Sequence, residues 1–143
     1  MKLIVDANIL VGELLRLRGR ALIAHPTLEL LISQKVAEEA DHELQKRIRV
    51  MVRQNRFSAE HGEQFFAVAQ DLLESSIQIV SYAAYGNVES EARRRIPRDP
   101  DDWHTVALAL LTDAAIWTQD CDFLGCGCPT WTTETLLLQL QSA

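Results

Sequence analysis

Three carboxylates stand where an apolar segment ends or begins: Asp6 closes Lys2-Leu3-Ile4-Val5, Asp102 lies in the opening turn of an apolar helix, and Asp120 follows the run from Ala114 to Thr118. In a parallel sheet the ends of strands and the starts of the following helices share one rim, so Asp6, Asp102 and Asp120 converge there. Unpaired, such a group repels itself. A divalent cation relieves the repulsion, and a donor set made of carboxylates selects Mg²⁺ or Mn²⁺ over zinc. A cation held this way binds phosphate, activates water and offsets charge on a leaving oxygen. Glu39 is a fourth candidate, at the edge of an apolar helical stripe, with an ordinary pair to Lys35 four residues earlier as its competing reading. Asp99 and Asp101 read equally well as helix-start residues.

The elements that must position these acids follow from local patterning. Lys2 to Val5 is too short for a helix and reads as a strand buried on both faces. Asn8 is the expected cap of the next helix, whose apolar positions Ile9, Leu10, Leu14 and Leu17 recur at helical spacing. Ala21 to Thr27 is ambiguous. Leu28 to Ile32 reads as a strand, and Ser33 as the cap of a long amphipathic helix from Gln34 to about Asn55. Ser58 opens a further helix to Glu74, Ile77 to Val80 is a strand, and Ala83 to Arg95 a helix interrupted near Gly86-Asn87. Asp99 and Pro100 suit a helix start, and Val106, Ala109 and Leu110 place Asp102 above that helix's buried stripe. Thr130-Trp131 forms a last short strand, and Thr132 or Thr133 caps a closing helix through Leu140. This alternation of strands and helices predicts a mainly parallel sheet covered by helices.

The chain has 143 residues and a formal charge of −6. A single domain spanning 1–143 is expected, with core enough to fold without metal or disulfide. The acidic balance argues against a surface that grips nucleic acid all over, although acids gathered around bound cations reverse the local sign. No run approaches the length of a membrane span, and the cytoplasm is the expected compartment. The three cysteines, Cys121, Cys126 and Cys128, match no zinc framework with His25, His42, His61 or His104 and read as reduced thiols in a loop. Basic residues gather in two places. Lys46 to Arg56, including Arg53, fills the second half of the long helix, and Arg93, Arg94 and Arg95 precede the acidic stretch. Arginine there suits bidentate phosphate contacts as well as it suits a solvated helix end.

Four motifs in this order, LIVDANIL, SQKVAEE, DPDDWHTVALAL and WTQDCDF, together resemble the PIN-domain family, which includes the VapC-like toxins of bacterial toxin–antitoxin pairs. The resemblance spans nearly the whole chain. It implies a three-layer α/β/α fold with a mainly parallel sheet of four or five strands, and Mg²⁺- or Mn²⁺-dependent endoribonuclease activity. Its acidic quartet falls on Asp6, Glu39, Asp102 and Asp120, with Glu38 and Asp101 as one-residue alternatives. Asp6, Asp102, Asp120 and Asp122 are the implied metal ligands, Asp99 is an auxiliary acid, and Asn8 and Thr118 match the polar positions beside the first and fourth acids. A homodimer and a small antitoxin partner are implied as well. Two rivals are a phosphatase using Asp6 as nucleophile, opposed by Asn8 where a second Asp is wanted, and a non-catalytic module of the same fold that binds RNA or protein.

Overall fold

The run Leu3-Ile4-Val5 can be buried on both faces only inside a sheet sandwiched by helices. The computed structural model, which describes residues 1–142, has that arrangement. Five parallel strands, β1 (Lys2–Val5), β2 (Glu29–Ser33), β3 (Ile77–Val80), β4 (Ala115–Trp117) and β5 (Thr130–Trp131), lie in the order β3-β2-β1-β4-β5. Alternate residues feed opposite layers. Leu3, Val5, Leu30, Ile32 and Trp117 pack beneath α1 (Ala7–Leu14), α2 (Leu17–Ile23), α3 (Gln34–Arg53), α4 (Ala59–Ser76) and α8 (Thr133–Gln141). Ile4, Leu31 and Ile116 pack on the other side against α5 (Tyr82–Tyr85), α6 (Glu89–Arg95) and α7 (Trp103–Thr112). The fold is therefore the expected three-layer α/β/α sandwich.

Local signals set several helix starts. Ser33 Oγ accepts the Val36 N–H at 3.0 Å, Ser58 Oγ accepts the His61 N–H at 3.1 Å, and Thr132 and Thr135 form a reciprocal capping box. Each such cap is worth about 1 kcal/mol. At α1 the expectation differs from the structure: the helix begins at Ala7, Asp6 occupies the cap position without a side-chain capping bond, and Asn8 is an exposed residue of the first turn.

The first helical segment is also broken where sequence periodicity carried it on to Leu17. Arg16 is extended (φ −113°, ψ 141°), α2 starts afresh at Leu17, and Leu17 faces solvent. Gly19 permits the close return of α2 after the break, because its Cα lies against the backbone and carboxylate of Glu13, where no Cβ fits. Asp99 and Pro100 likewise begin a tight 3₁₀ turn, Pro100–Asp102, with α7 starting at Trp103. The tighter turn leaves Asp102 at the mouth of α7. That helix is buried nearly all round from Trp103 to Ala109, as its continuous apolar sequence requires. Among the described residues no helix is long and apolar enough to cross a membrane.

Candidate active site

Strand order reverses direction between β1 and β4, the place where open parallel sheets form a crevice at their carboxyl ends. Asp6 stands at that point. Its backbone N–H donates to Trp117 O at 3.0 Å, tying the end of β1 to β4, and its side chain is 7% exposed. The Thr118 hydroxyl donates to Asp6 Oδ2 at 3.0 Å and accepts the Asp120 N–H at 2.9 Å. Asp120 Oδ1 accepts the Asp122 N–H at 2.9 Å, capping the turn Cys121–Phe123. One hydroxyl thus sets both the first acid and the backbone carrying the fourth.

Two recesses meet at Asp6. One is lined by Asp6, Lys35, Glu39, Asp101, Asp102 and His104, the other by Asp6, Asn8, Gln119 and Asp120. The structure brings Glu39 to this place and not Glu38, because Glu39 lies on the side of α3 that faces the sheet rim. Glu39 keeps its ordinary partner as well, with Lys35 Nζ at 3.6 Å. Asp101 is turned outward, 3.7 Å from Arg93 Nη1, while Asp102 is half-buried. Asp122 points another way: its carboxylate is 3.7 Å from Arg98 Nη1.

The electrostatics reflect burial first and crowding by like charges second. Burial raises the Asp6 carboxyl above its usual range, the Thr118 hydrogen bond opposes that, and Asp120 and Glu39 raise it further. Asp102 is pushed up to about 7, first by burial, then by the charge of Asp99, then by Asp6, with Glu39 adding to the effect. Asp99 therefore belongs to the group through Asp102. Sequence reasoning passed over His104 except as a zinc candidate, yet its ring lines the recess and its Nδ1 shares a 2.8 Å hydrogen bond with the Tyr85 hydroxyl. Burial, followed by the Lys35 charge, holds its imidazole below the usual range. Its position two residues after Asp102, at a helix mouth, was the available signal.

The basic residues divide. Arg93 Nε donates to Glu89 at 2.8 Å and its guanidinium lies 5.6 Å from the Trp103 ring centroid. Arg94 pairs with Glu91 at 2.6 Å. Arg95 also binds Glu91 and donates to Cys126 O at 3.0 Å, fastening the cysteine loop to α6. Arg53 lies at the far end of α3, about 27 Å from Lys35 at the helical rise, beside an apolar groove between α3 and α4.

Among the described residues no three His, Cys, Asp or Glu side chains are already gathered as a metal shell. The donor chemistry nevertheless fits a hard divalent cation. Asp6, Glu39, Asp102 and Asp120 supply carboxylate oxygens, and the Asp6 and Asp102 carboxyls, raised first by burial and then by neighbouring acids, are ones whose charged form such a cation would favour.

No curated protein matches the chain. A family model described as the PIN domain matches residues 4–141, so the match takes in both halves of the crevice, from β1 through α8. PIN domains have a nuclease-type fold and are generally nucleases that use divalent metals, in keeping with an acid-lined crevice at the strand switch. By that match and by its five-stranded parallel α/β/α sandwich, the chain belongs to the PIN-domain family.

Proposed function

We propose that the protein is a Mg²⁺- or Mn²⁺-dependent endoribonuclease, with the cation held by Asp6, Asp102 and Asp120 and by Glu39. The observation that carries this reading is the gathering of carboxylates at one crevice, where Asp6 and Asp102 are lifted first by burial and then further by their acidic neighbours, Asp120 and Glu39 at Asp6 and Asp99 and Asp6 at Asp102. A bound cation supplies a lowered water pKa and compensation for charge developing on phosphate. The chain's own groups do the rest. Thr118 holds Asp6 in one orientation through its 3.0 Å hydrogen bond, and through the Asp120 N–H it holds the opposite wall of the crevice in step. Lys35 neutralises Glu39 in the resting state and presents a cation to an incoming phosphate. Arg93 and Arg94 add phosphate contacts at the price of their helical pairs, which makes RNA binding salt-sensitive. Hydrolysis adds the water oxygen to phosphorus and breaks the bond to the 3′-oxygen, which leaves with a proton. The products carry a 5′-phosphate and a 3′-hydroxyl.

The same proposal includes the role of toxin in a toxin–antitoxin pair, acting as a homodimer and silenced by a small antitoxin protein. It rests on the resemblance to VapC-like toxins, with a housekeeping processing nuclease as the competing role. Cleavage of RNA with mapped ends, compared between wild type and Asp6→Asn in Mg²⁺ and Mn²⁺, tests the chemistry. Equal rates overturn the site. Growth arrest on expression, relieved by Asp6→Asn and by the product of an adjoining short reading frame, tests the role.

A further inference from the structure

Beside the acid-lined recess stands a cluster of rings that the hydrolytic reading does not use. Tyr82 begins α5 two residues after the end of β3, at the same rim of the sheet as Asp6 and the start of α3. Its neighbours are interior groups: Trp103 and Tyr85 are buried, and Trp103 stacks on His104 with ring centroids 4.0 Å apart and planes 27° apart. His104 in turn lines the recess with Asp6, Glu39 and Asp102. Tyr82 meets Trp103 edge-on at 5.9 Å and 84°, and Tyr85 edge-on at 5.7 Å and 65°. With these contacts made, the residue remains 51% exposed.

Two further features fix this exposed ring. The Tyr82 hydroxyl donates to Glu89 Oε1 at 3.1 Å, and the ring lies over Gly86, where an added Cβ would stand 2.8 Å from Tyr82 Cε1. Holding a large ring still at the surface forfeits its freedom while leaving about half of its area open to solvent. A preorganised ring of this kind is suited to stacking on another flat apolar group. The cations beside it, Arg93 against Trp103 and Lys35 in the recess, suit a ligand carrying phosphate.

We propose that the exposed side of Tyr82 is a stacking subsite for an unpaired RNA base adjoining the phosphodiester that enters the acidic recess. This rests on the ribonuclease reading above and adds a substrate requirement to it: the RNA must be single-stranded where it meets Tyr82, since a paired and stacked base offers no free face. Stacking of this kind is tolerant of base identity, so Tyr82 sets strandedness more than sequence.

The test uses single-stranded RNA oligonucleotides with 2-aminopurine, whose fluorescence falls on stacking, placed at successive positions around the mapped cleavage site. Binding is read in Ca²⁺ and cleavage in Mg²⁺. Wild type and Tyr82→Trp are expected to quench the probe at one position, and Tyr82→Ala to lose that quenching. Tyr82→Ala should bind roughly ten-fold or more weakly and raise KM with kcat little changed. An abasic residue at that position should remove the difference between wild type and Tyr82→Ala. Tyr82→Leu keeps apolar contact with Trp103 but has no π-face and should behave as Tyr82→Ala, which separates stacking from folding. Wild-type affinity and quenching in either variant, or an abasic penalty equal in wild type and Tyr82→Ala, overturns the subsite. If wild type binds with Tyr82-dependent quenching and cuts nothing, the subsite stands and the hydrolytic reading fails. Cleavage without dependence on Tyr82 is the reverse result, and an absence of RNA binding overturns both.

Discussion

Asp6 and Glu13 are buried carboxylates on one strand–helix unit, 7% and 2% exposed, and their surroundings are opposite in kind. Glu13 has its donors on one oxygen. Its Oε1 accepts from Thr133 Oγ1 at 3.2 Å and from Arg16 Nη1 at 3.4 Å, and Thr133 Oγ1 accepts from Trp117 Nε1 at 3.1 Å. That chain fastens α1 to α8 and β4, while Oε2, against Gly19, has no partner. Asp6 has the Thr118 hydroxyl and the Ala7 backbone N–H as donors, no ion pair among the described residues, and a neighbourhood of other carboxylates. A buried acid among donors and a cation holds structure together, whereas a buried acid among acids leaves charge for something else to neutralise. The same residue chemistry is thus structural at one end of α1 and a site at the other.

The largest expected effects break this contrast directly. Asp6→Asn and Asp120→Asn should each lower RNA hydrolysis roughly 100-fold or more, taking the loss from disturbing metal-site residues as a floor, while the melting temperature in chelator stays level or rises. A fall in melting temperature comparable to that of a Glu13 variant would show that Asp6 is structural. Glu13→Ala should do the opposite, costing about 2–3 kcal/mol in urea unfolding through the cavity and the Thr133 hydroxyl left without its acceptor. Gly19→Ala should destabilise by a similar route, since the added methyl meets Glu13. Activity per folded molecule is expected to survive Glu13→Ala better than Asp6→Asn.

The pH response sharpens the contrast further. Folding raises the Asp102 carboxyl from 3.8 to about 7, so between those values the native protein holds a proton that the unfolded chain releases. Stability of the metal-free protein should therefore fall as pH rises from about 4 to 7 and then level off. Asp102→Asn should flatten the slope, as should saturating Mg²⁺; a slope unchanged in both would remove the crowded-acid account. The smallest effect is expected at Lys35. Its 3.6 Å pair with Glu39 is partly exposed, so Lys35→Ala should change stability by no more than about 0.5 kcal/mol. Divalent-cation affinity should rise in that variant, because a competing positive charge has gone; a weaker affinity in titration calorimetry would place Lys35 among the supports of the site.

Local rules made much of the fold legible. Ser33, Ser58 and Thr132 cap the helices they were expected to cap, and the spacing of Val36, Ala40, Leu44 and Ile48 marks the buried stripe of α3. The break after Leu14 was missed because apolar spacing continues through it, while the close return of α2 on Glu13 at Gly19 is a contact that periodicity does not read. Asp6 and Asp102 were visible as acids at the ends of apolar segments. Glu39 was marked only weakly, by its place at the edge of the apolar stripe, and the resemblance strengthened it while leaving Glu38 as a one-residue alternative; in the fold Glu39 is the one that lines the recess. His104 carried a fainter signal, its place two residues after Asp102, and Tyr82 carried none, since its arrival beside Trp103 and His104 is a matter of topology.

The amino-acid sequence by itself determined the order of strands and helices, their caps and the placing of acids at the carboxyl rim, because each of these depends on residues within a turn or two. The tertiary structure decided which acids meet. Thr118 reaches Asp6 across 112 residues because β4 lies beside β1, Asp122 turns to Arg98, and Tyr82 arrives beside the recess through β3. Strand order sets those encounters, and no local propensity encodes it.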